Sequence, residues 1–285
     1  MKSTMEQKIP RLVQLACALE ACAPKPGNVN RYHDFCDTSL EDFLLSAAAL
    51  GTAFENAAQA TVGRLILDAA MKTRDWVRSN TNLGMILLFA PLAKAGLDAA
   101  GTGKDIRRSL LSVLNALTVE DARLAYEAIR LMRPGGIGQV PQADVSGEPS
   151  VTLLQAMALA EERDAVAREY VSGYAISFGI GLPALKSAYS RCGSYSSAIV
   201  QTFLTILSDV PDTLIVRKQG LKPAQQVSQM ATGVLASGGV FTPEGRSGLA
   251  DMDSVLRDEG HTLNPGTTAD LTAATVFLAL LENPL

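Results

Sequence analysis

From Leu83 to Ala93 every residue except Gly84 is apolar, and Lys94 closes the run. A bilayer-spanning helix needs about 20 apolar residues, so the stretch is too short to cross a membrane and has to be buried by the rest of the chain. Apolar on every face, it reads as a central helix. Pro91 lies inside it and withholds one backbone donor. The packing around it must come from Ala, Leu, Val and Ile, because 47% of the 285 residues are hydrophobic and only 5% are aromatic. That mix suits close-packed helices.

The rest of the chain repeats apolar residues at helical spacing. Leu12, Leu15, Ala16 and Leu19 predict a helix over about 5–22, opened by a Ser3-Thr4-Met5-Glu6 cap. Ser39 and Asp42 form the next capping signature, with Phe43, Ala47, Leu50 and Phe54 on one face of a helix running to about 59. Further helices are expected at about 61–77, 103–114, 119–131, 150–162 and 164–189, then at about 195–208, 211–217, 222–237, 243–258 and 267–282. No useful alternating strand pattern and no solenoid repeat occurs. One all-α domain spanning 1–285 is the expected architecture.

Charge and thiol content narrow the function. With 25 basic and 29 acidic residues the net charge is -4, which gives no long-range pull on nucleic acid or anionic lipid, and neither is expected as a partner. The four cysteines form no Cys-x-x-Cys pair, and two histidines give no zinc-finger spacing. Reduced thiols in a cytoplasmic protein fit best, and the charged first helix lacks a signal-peptide core. A homodimer is open to such a chain.

Polar chemistry is concentrated in a few stretches. Ala23 to Ser39 cannot be helical, since Pro24 and Pro26 remove donors and Gly27 admits unusual dihedrals. It carries Lys25, Asn28, Asn30, Arg31, His33, Asp34 and Asp37, a mixture suited to an anion and a divalent metal bound together, though a plain polar connection is the simpler reading. Asn80-Thr81-Asn82-Leu83-Gly84 enters the apolar helix; it either caps that helix or offers its free amides to a phosphate. The run Arg133–Pro149, with Asp144 and Glu148 among glycines, is longer than most connections in compact domains. Asp164 reads as a cap, Asp212 as a first-turn acid with Arg217 and Lys218 downstream, and Thr267 to Asp270 as a capping box for the last helix.

Pro24-Lys-Pro-Gly27, Asn80-Thr81 with Gly84, Gly135-Gly-Ile-Gly138 leading to Ser146-Gly-Glu-Pro149, Asp212-Thr213, and Asn264-Pro-Gly266 with Ala269-Asp-Leu271 occur in one order. Together they resemble the triphosphoribosyl-dephospho-CoA synthase family over nearly the whole chain. The resemblance implies an all-helical transferase that uses ATP as ribosyl donor, releases adenine, and joins a triphosphoribosyl group to a hydroxyl of dephospho-CoA or another cofactor precursor. The chain departs from the family where Asn82 and Leu83 stand in place of His and Lys, and where Ser39 replaces a second aspartate.

The roles that follow from the resemblance are specific. Asp37 or Asp34 activates the acceptor hydroxyl and His33 protonates adenine. Lys25, Asn28, Arg31, Asn80, Asn82, Arg217, Lys218 and Asn264 bind the nucleotide. Asp144, Asp212 and Asp270 are candidate ligands of Mg2+, which prefers oxygen donors together with phosphate. A magnesium-dependent hydrolase of a nucleotide or an ADP-ribose-type substrate is the alternative.

Overall fold

The computed structural model describes residues 4–135, 144–258 and 260–282. Among them the chain is helical throughout, its extended pairing confined to one antiparallel bridge between Asn30 and His33. The apolar run becomes α4 (Leu83–Thr102), which is continuous well past Lys94. The expected stop at Lys94 is wrong for a clear reason. Its ammonium donates to the carbonyls of Ala57, Ala58 and Ala60 at 3.0, 3.0 and 2.8 Å, so the cation is satisfied without ending the helix. Pro91 leaves the carbonyl of Leu87 without its helical donor, and the hydroxyl of Tyr170 donates to it at 2.6 Å. Helix α4 is long and apolar enough to cross a membrane, but most of it is buried inside the domain.

Helices α1 (Thr4–Cys22), α2 (Leu40–Phe54) and α3 (Val62–Trp76) pack in sequence, and α3 also packs on α6 (Val119–Met132), which follows α5 (Ile106–Asn115). The Ser39–Asp42 capping box forms as expected; the expected Ser3 cap of α1 lies outside the described residues. After α7 (Leu153–Ala158) the single helix expected over 164–189 is three pieces. Helix α8 (Ala165–Ser172) ends at Gly173 with φ 65° and Tyr174 with φ 60°, a π turn covers Ser177–Gly181, and α9 is Leu182–Cys192. The cause is buried Glu169. Its carboxylate takes hydrogen bonds from the amides of Ile176 and Ser177 and from the Ser177 hydroxyl, holding the turn in place of a continuing helix.

The second half adds α10 (Tyr195–Asp209), α11 (Thr213–Gln219), α12 (Leu221–Ala236), α13 (Pro243–Leu256) and α14 (Gly266–Glu282). Helix α14, almost wholly buried, lies against α1, α4 and α10, with Phe277 against Phe89 of α4 at 4.8 Å. Helix α13 holds the 23–39 loop. The amide of Gly27 donates to Asp253 at 2.8 Å, and Arg257 donates both to Asp253 and to the carbonyl of Asn28. Gly27 has φ 71°, and a Cβ there would meet Leu256 at 2.7 Å, so two independent constraints require glycine. The central helix, the last helix and this loop converge at one end of the bundle.

Candidate active site

At that end an open cleft of about 910 Å³ is lined by the 23–39 loop, the entrance of α4, the first turn of α14, the basic end of α11 and the ends of α3 and α6. Eight buried polar side-chain atoms in the described chain lack a hydrogen-bond partner. Four of them, on Asn82, Arg217, His261 and Asn264, belong to residues that line this cleft, and a fifth, on Glu20, also lines it but is ion-paired with Lys25. Unsatisfied buried polar atoms are costly and rare, so their convergence marks a place built for a polar ligand.

The entrance of α4 shows the arrangement most clearly. Asn80 accepts the amide of Leu83 at 3.2 Å and so does the capping, whereas Asn82 donates to Thr73 and leaves its own carbonyl oxygen open. Opposite lies Asp270. A Cβ on Gly84 would fall 2.0 Å from one of its carboxylate oxygens, so glycine is what lets the acid approach the helix.

The expected capping box is not what opens α14. Asp212 reaches in from α11, accepting the amide and hydroxyl of Thr268 at 2.7 and 2.8 Å with one oxygen and the amides of Leu214 and Ile215 with the other. Asp212 is thereby removed from the metal candidates: it is buried outside the cleft lining with both oxygens occupied. Asp270 is released from capping. Burial, followed by the charges of Glu20, Asp212 and Asp164, holds its carboxyl well above the usual range. No donor among the described residues satisfies it, so it calls for a proton or a cation.

Lys25 is the second correction. It lines the cleft but is 1% exposed, and its ammonium is turned inward to the carbonyls of Glu20 and Ala23 and to the Glu20 carboxylate at 3.0 Å. Burial pushes the Glu20 carboxyl up and Lys25 pulls it back. Its three hydrogens are thus spent on structure, and a phosphate would compete with a buried ion pair. Lys25→Met should leave Glu20 uncompensated and destabilise the fold by about 3–5 kcal/mol, read by urea unfolding. A loss below about 1 kcal/mol, the range of exposed ion pairs, would return Lys25 to ligand binding.

The remaining expected residues divide between the cleft and the outside. Asn28, Asp37, Asn80, Asn82, Asp144, Arg217, Lys218, Asn264 and Asp270 line the cleft. His33, Asp34 and Arg31 do not: His33 faces Asp253, Asp34 accepts the amide of Leu40, and Arg31 donates to the carbonyl of Cys22. Asp164 caps α8 as expected and also pairs with Arg217 at 2.9 Å. Burial lowers the Lys218 ammonium, against the pull of Asp258. Sequence reading missed Arg74, Arg78, Arg133 and Arg163, which make the cleft basic on an acidic protein. It also missed Glu20 and His261. Gly136–Gly138 of the expected glycine loop lie outside the described residues.

The sequence profile of the CitG family, "ATP:dephospho-CoA triphosphoribosyl transferase", matches residues 6–285. The chain belongs to this family. A CitG relative from Azotobacter vinelandii, named "Probable 2-(5''-triphosphoribosyl)-3'-dephosphocoenzyme-A synthase", is 26% identical over 265 residues, covering 91% of this chain and 86% of its own. The Klebsiella pneumoniae synthase of the same name, without the qualifier, is 33% identical over 99 residues, 35% of each chain. A Malonomonas rubra relative is 34% identical over 31% of its length, so these two matches span about a third of each relative. An Archaeoglobus fulgidus crystal structure, provisionally named triphosphoribosyl-dephospho-CoA synthase, superposes with TM-score 0.63 at 29% identity, covering 84% of this chain and 99% of that one.

One consequence of the Asp270 environment can be measured without substrate. A carboxyl raised in the folded state favours folding most when protonated; that contribution is complete below the unfolded value and is lost as pH rises through the folded one. Asp270→Asn has no such loss. In ligand-free protein the variant should melt above wild type at pH 8, and the gap should close by about pH 4. A variant that melts below wild type at pH 8 would show that the ionised acid is stabilising.

Proposed function

We propose that this cleft binds ATP and a cofactor-type hydroxyl acceptor, dephospho-CoA first among them, and transfers the triphosphoribosyl group between them. The hydroxyl oxygen forms a bond to the anomeric carbon of ATP, the bond from that carbon to adenine breaks, the hydroxyl proton is lost, and adenine leaves protonated. The observation carrying this reading is the convergence of open polar atoms with five arginines on one cleft. Arg217, Lys218, Arg74 and Arg78, with the amides entering α4, would hold the phosphates.

Asp270, which accepts no hydrogen bond among the described residues, would hold a magnesium ion, and Asp144 lines the same cleft. When bound, the ion would neutralise phosphate charge. Asp37, at the exposed rim, would take the acceptor proton, and the acids below it would favour the cationic character that develops at the anomeric carbon. His33 and Asp34 drop out of this account because neither lines the cleft. Four free cysteines suit work in the reducing cytosol.

Incubation with ATP, Mg2+ and dephospho-CoA, followed by mass spectrometry, tests the proposal. Free adenine together with an acceptor heavier by one triphosphoribosyl unit supports transfer. Adenine with free ribose triphosphate, formed without any acceptor, would replace transfer with hydrolysis.

A further inference from the structure

The rim of the cleft holds a second group of ligand-type atoms, of which the transfer reading uses only Asp37. Cys36, Asp37 and His261 each place one donor atom within 4.8 Å of the other two. The sulfur of Cys36 lies 3.5 Å from Nε2 of His261. For a tetrahedral zinc ion, with Zn–S about 2.3 Å and Zn–N about 2.0–2.1 Å, the sulfur and nitrogen ligands stand about 3.6 Å apart. The pair is therefore already at coordination spacing. We propose that Cys36, Asp37 and His261 form a binding site for a thiophilic divalent ion of the zinc type at the lip of the cleft.

The surroundings fix the imidazole donor. The His261 ring is stacked on Phe35, with centroids 3.8 Å apart and planes 17° from parallel, which sets the direction of Nε2. Its backbone carbonyl accepts from Lys218 at 3.0 Å. Nδ1 of the same ring is buried without a partner, so no group among the described residues competes to orient the imidazole the other way. A thiolate, a carboxylate and a neutral imidazole balance the charge of the ion, which makes the neighbouring ammonium of Lys218 tolerable.

Zinc sites with three protein ligands keep a fourth position for water or substrate. Asp37 and His261 both line the cleft, so that position faces it. The site is separate from the magnesium proposed at Asp270, since a thiolate donor selects against magnesium. It also stands whether or not ATP is the substrate. If the transfer reading holds as well, the ion's open position would meet the acceptor hydroxyl where Asp37 alone otherwise would.

Cobalt is the direct probe because it gives a thiolate-to-metal absorption band. Reduced, chelator-treated full-length protein should develop that band with saturation at one Co2+ per chain, and Zn2+ should bleach it. Cys36→Ser and His261→Ala should abolish the band, while Cys192→Ser, at the other exposed thiol, should keep it. Absence of the band in wild type, or its survival in Cys36→Ser, overturns the proposal. A second measurement needs no variant: one equivalent of Zn2+ should slow alkylation of Cys36 by roughly tenfold or more while leaving Cys192 unchanged. Unchanged alkylation of Cys36, or equal protection by Mg2+, overturns it too.

Discussion

Gly84→Ala should remove at least about 10²-fold of the transfer rate while leaving the fold close to wild type, because displacements of about 1 Å at a reacting centre cost that much. The added methyl would lie 2.0 and 2.9 Å from the two carboxylate oxygens of Asp270 and 2.3 Å from its Cγ, closer than any real contact. Something must move, and Asp270 has only rotation about its first side-chain bond as an escape. Stability is pulled both ways. Alanine in place of glycine in the first turn of α4 favours the helix by less than the about 1 kcal/mol of an interior site, which offsets part of the clash. The melting temperature should thus hardly change while adenine release collapses. A variant that transfers within about threefold of wild type would show that Asp270 need not stand against the entrance of α4.

The fold was legible wherever one residue's neighbours in sequence determined its state. The apolar run, the capping box at Ser39 and the non-helical prolines at 24 and 26 act within a turn or two, and each formed as read. The errors share the opposite cause. Lys94 does not stop α4 because three carbonyls after α2 receive it, and 164–189 is not one helix because Glu169 folds back onto the next turn. These partners are set by tertiary packing, which overrides propensity.

The site was legible as a collection of stretches and not as a set of roles. Asp212 and Asp270 look alike in sequence, each an acid at a helix entrance. The structure separates them by where the hydrogen bonds go: four donors saturate Asp212 and, among the described residues, none reaches Asp270. Lys25 and Arg217 likewise both read as phosphate cations, yet one is paired inward with Glu20 while the other keeps a buried nitrogen open at the cleft. Arg74 and Arg78 carried no motif and were found only because α3 ends at the cleft. The separation of 225 positions between Cys36 and His261 hides their contact from any search for local metal spacing.

Asp37→Asn should leave ATP affinity within about threefold of wild type and lower single-turnover adenine release by roughly 10²–10⁴-fold, the range of general acid–base catalysis. The substitution tests function cleanly because α2 does not need this acid. Its cap is Ser39 in a reciprocal pair with Asp42, and Asp34 receives the amide of Leu40, whereas among the described residues Asp37 accepts only the hydroxyl of Thr38 at 3.2 Å within the exposed rim. Asparagine keeps the size and loses the negative charge, so the unfolding midpoint should stay put. Phosphate binding, which rests on the arginines and the entrance of α4, should be spared. A chelator then separates two routes to the same defect: if Asp37 takes the proton directly, stripping thiophilic metal leaves wild-type turnover intact, and if it acts by holding an ion with Cys36 and His261, stripped wild type falls to the rate of the variant. Adenine release by Asp37→Asn within about threefold of wild type, at saturating ATP and acceptor, would remove this carboxylate from the chemistry by either route.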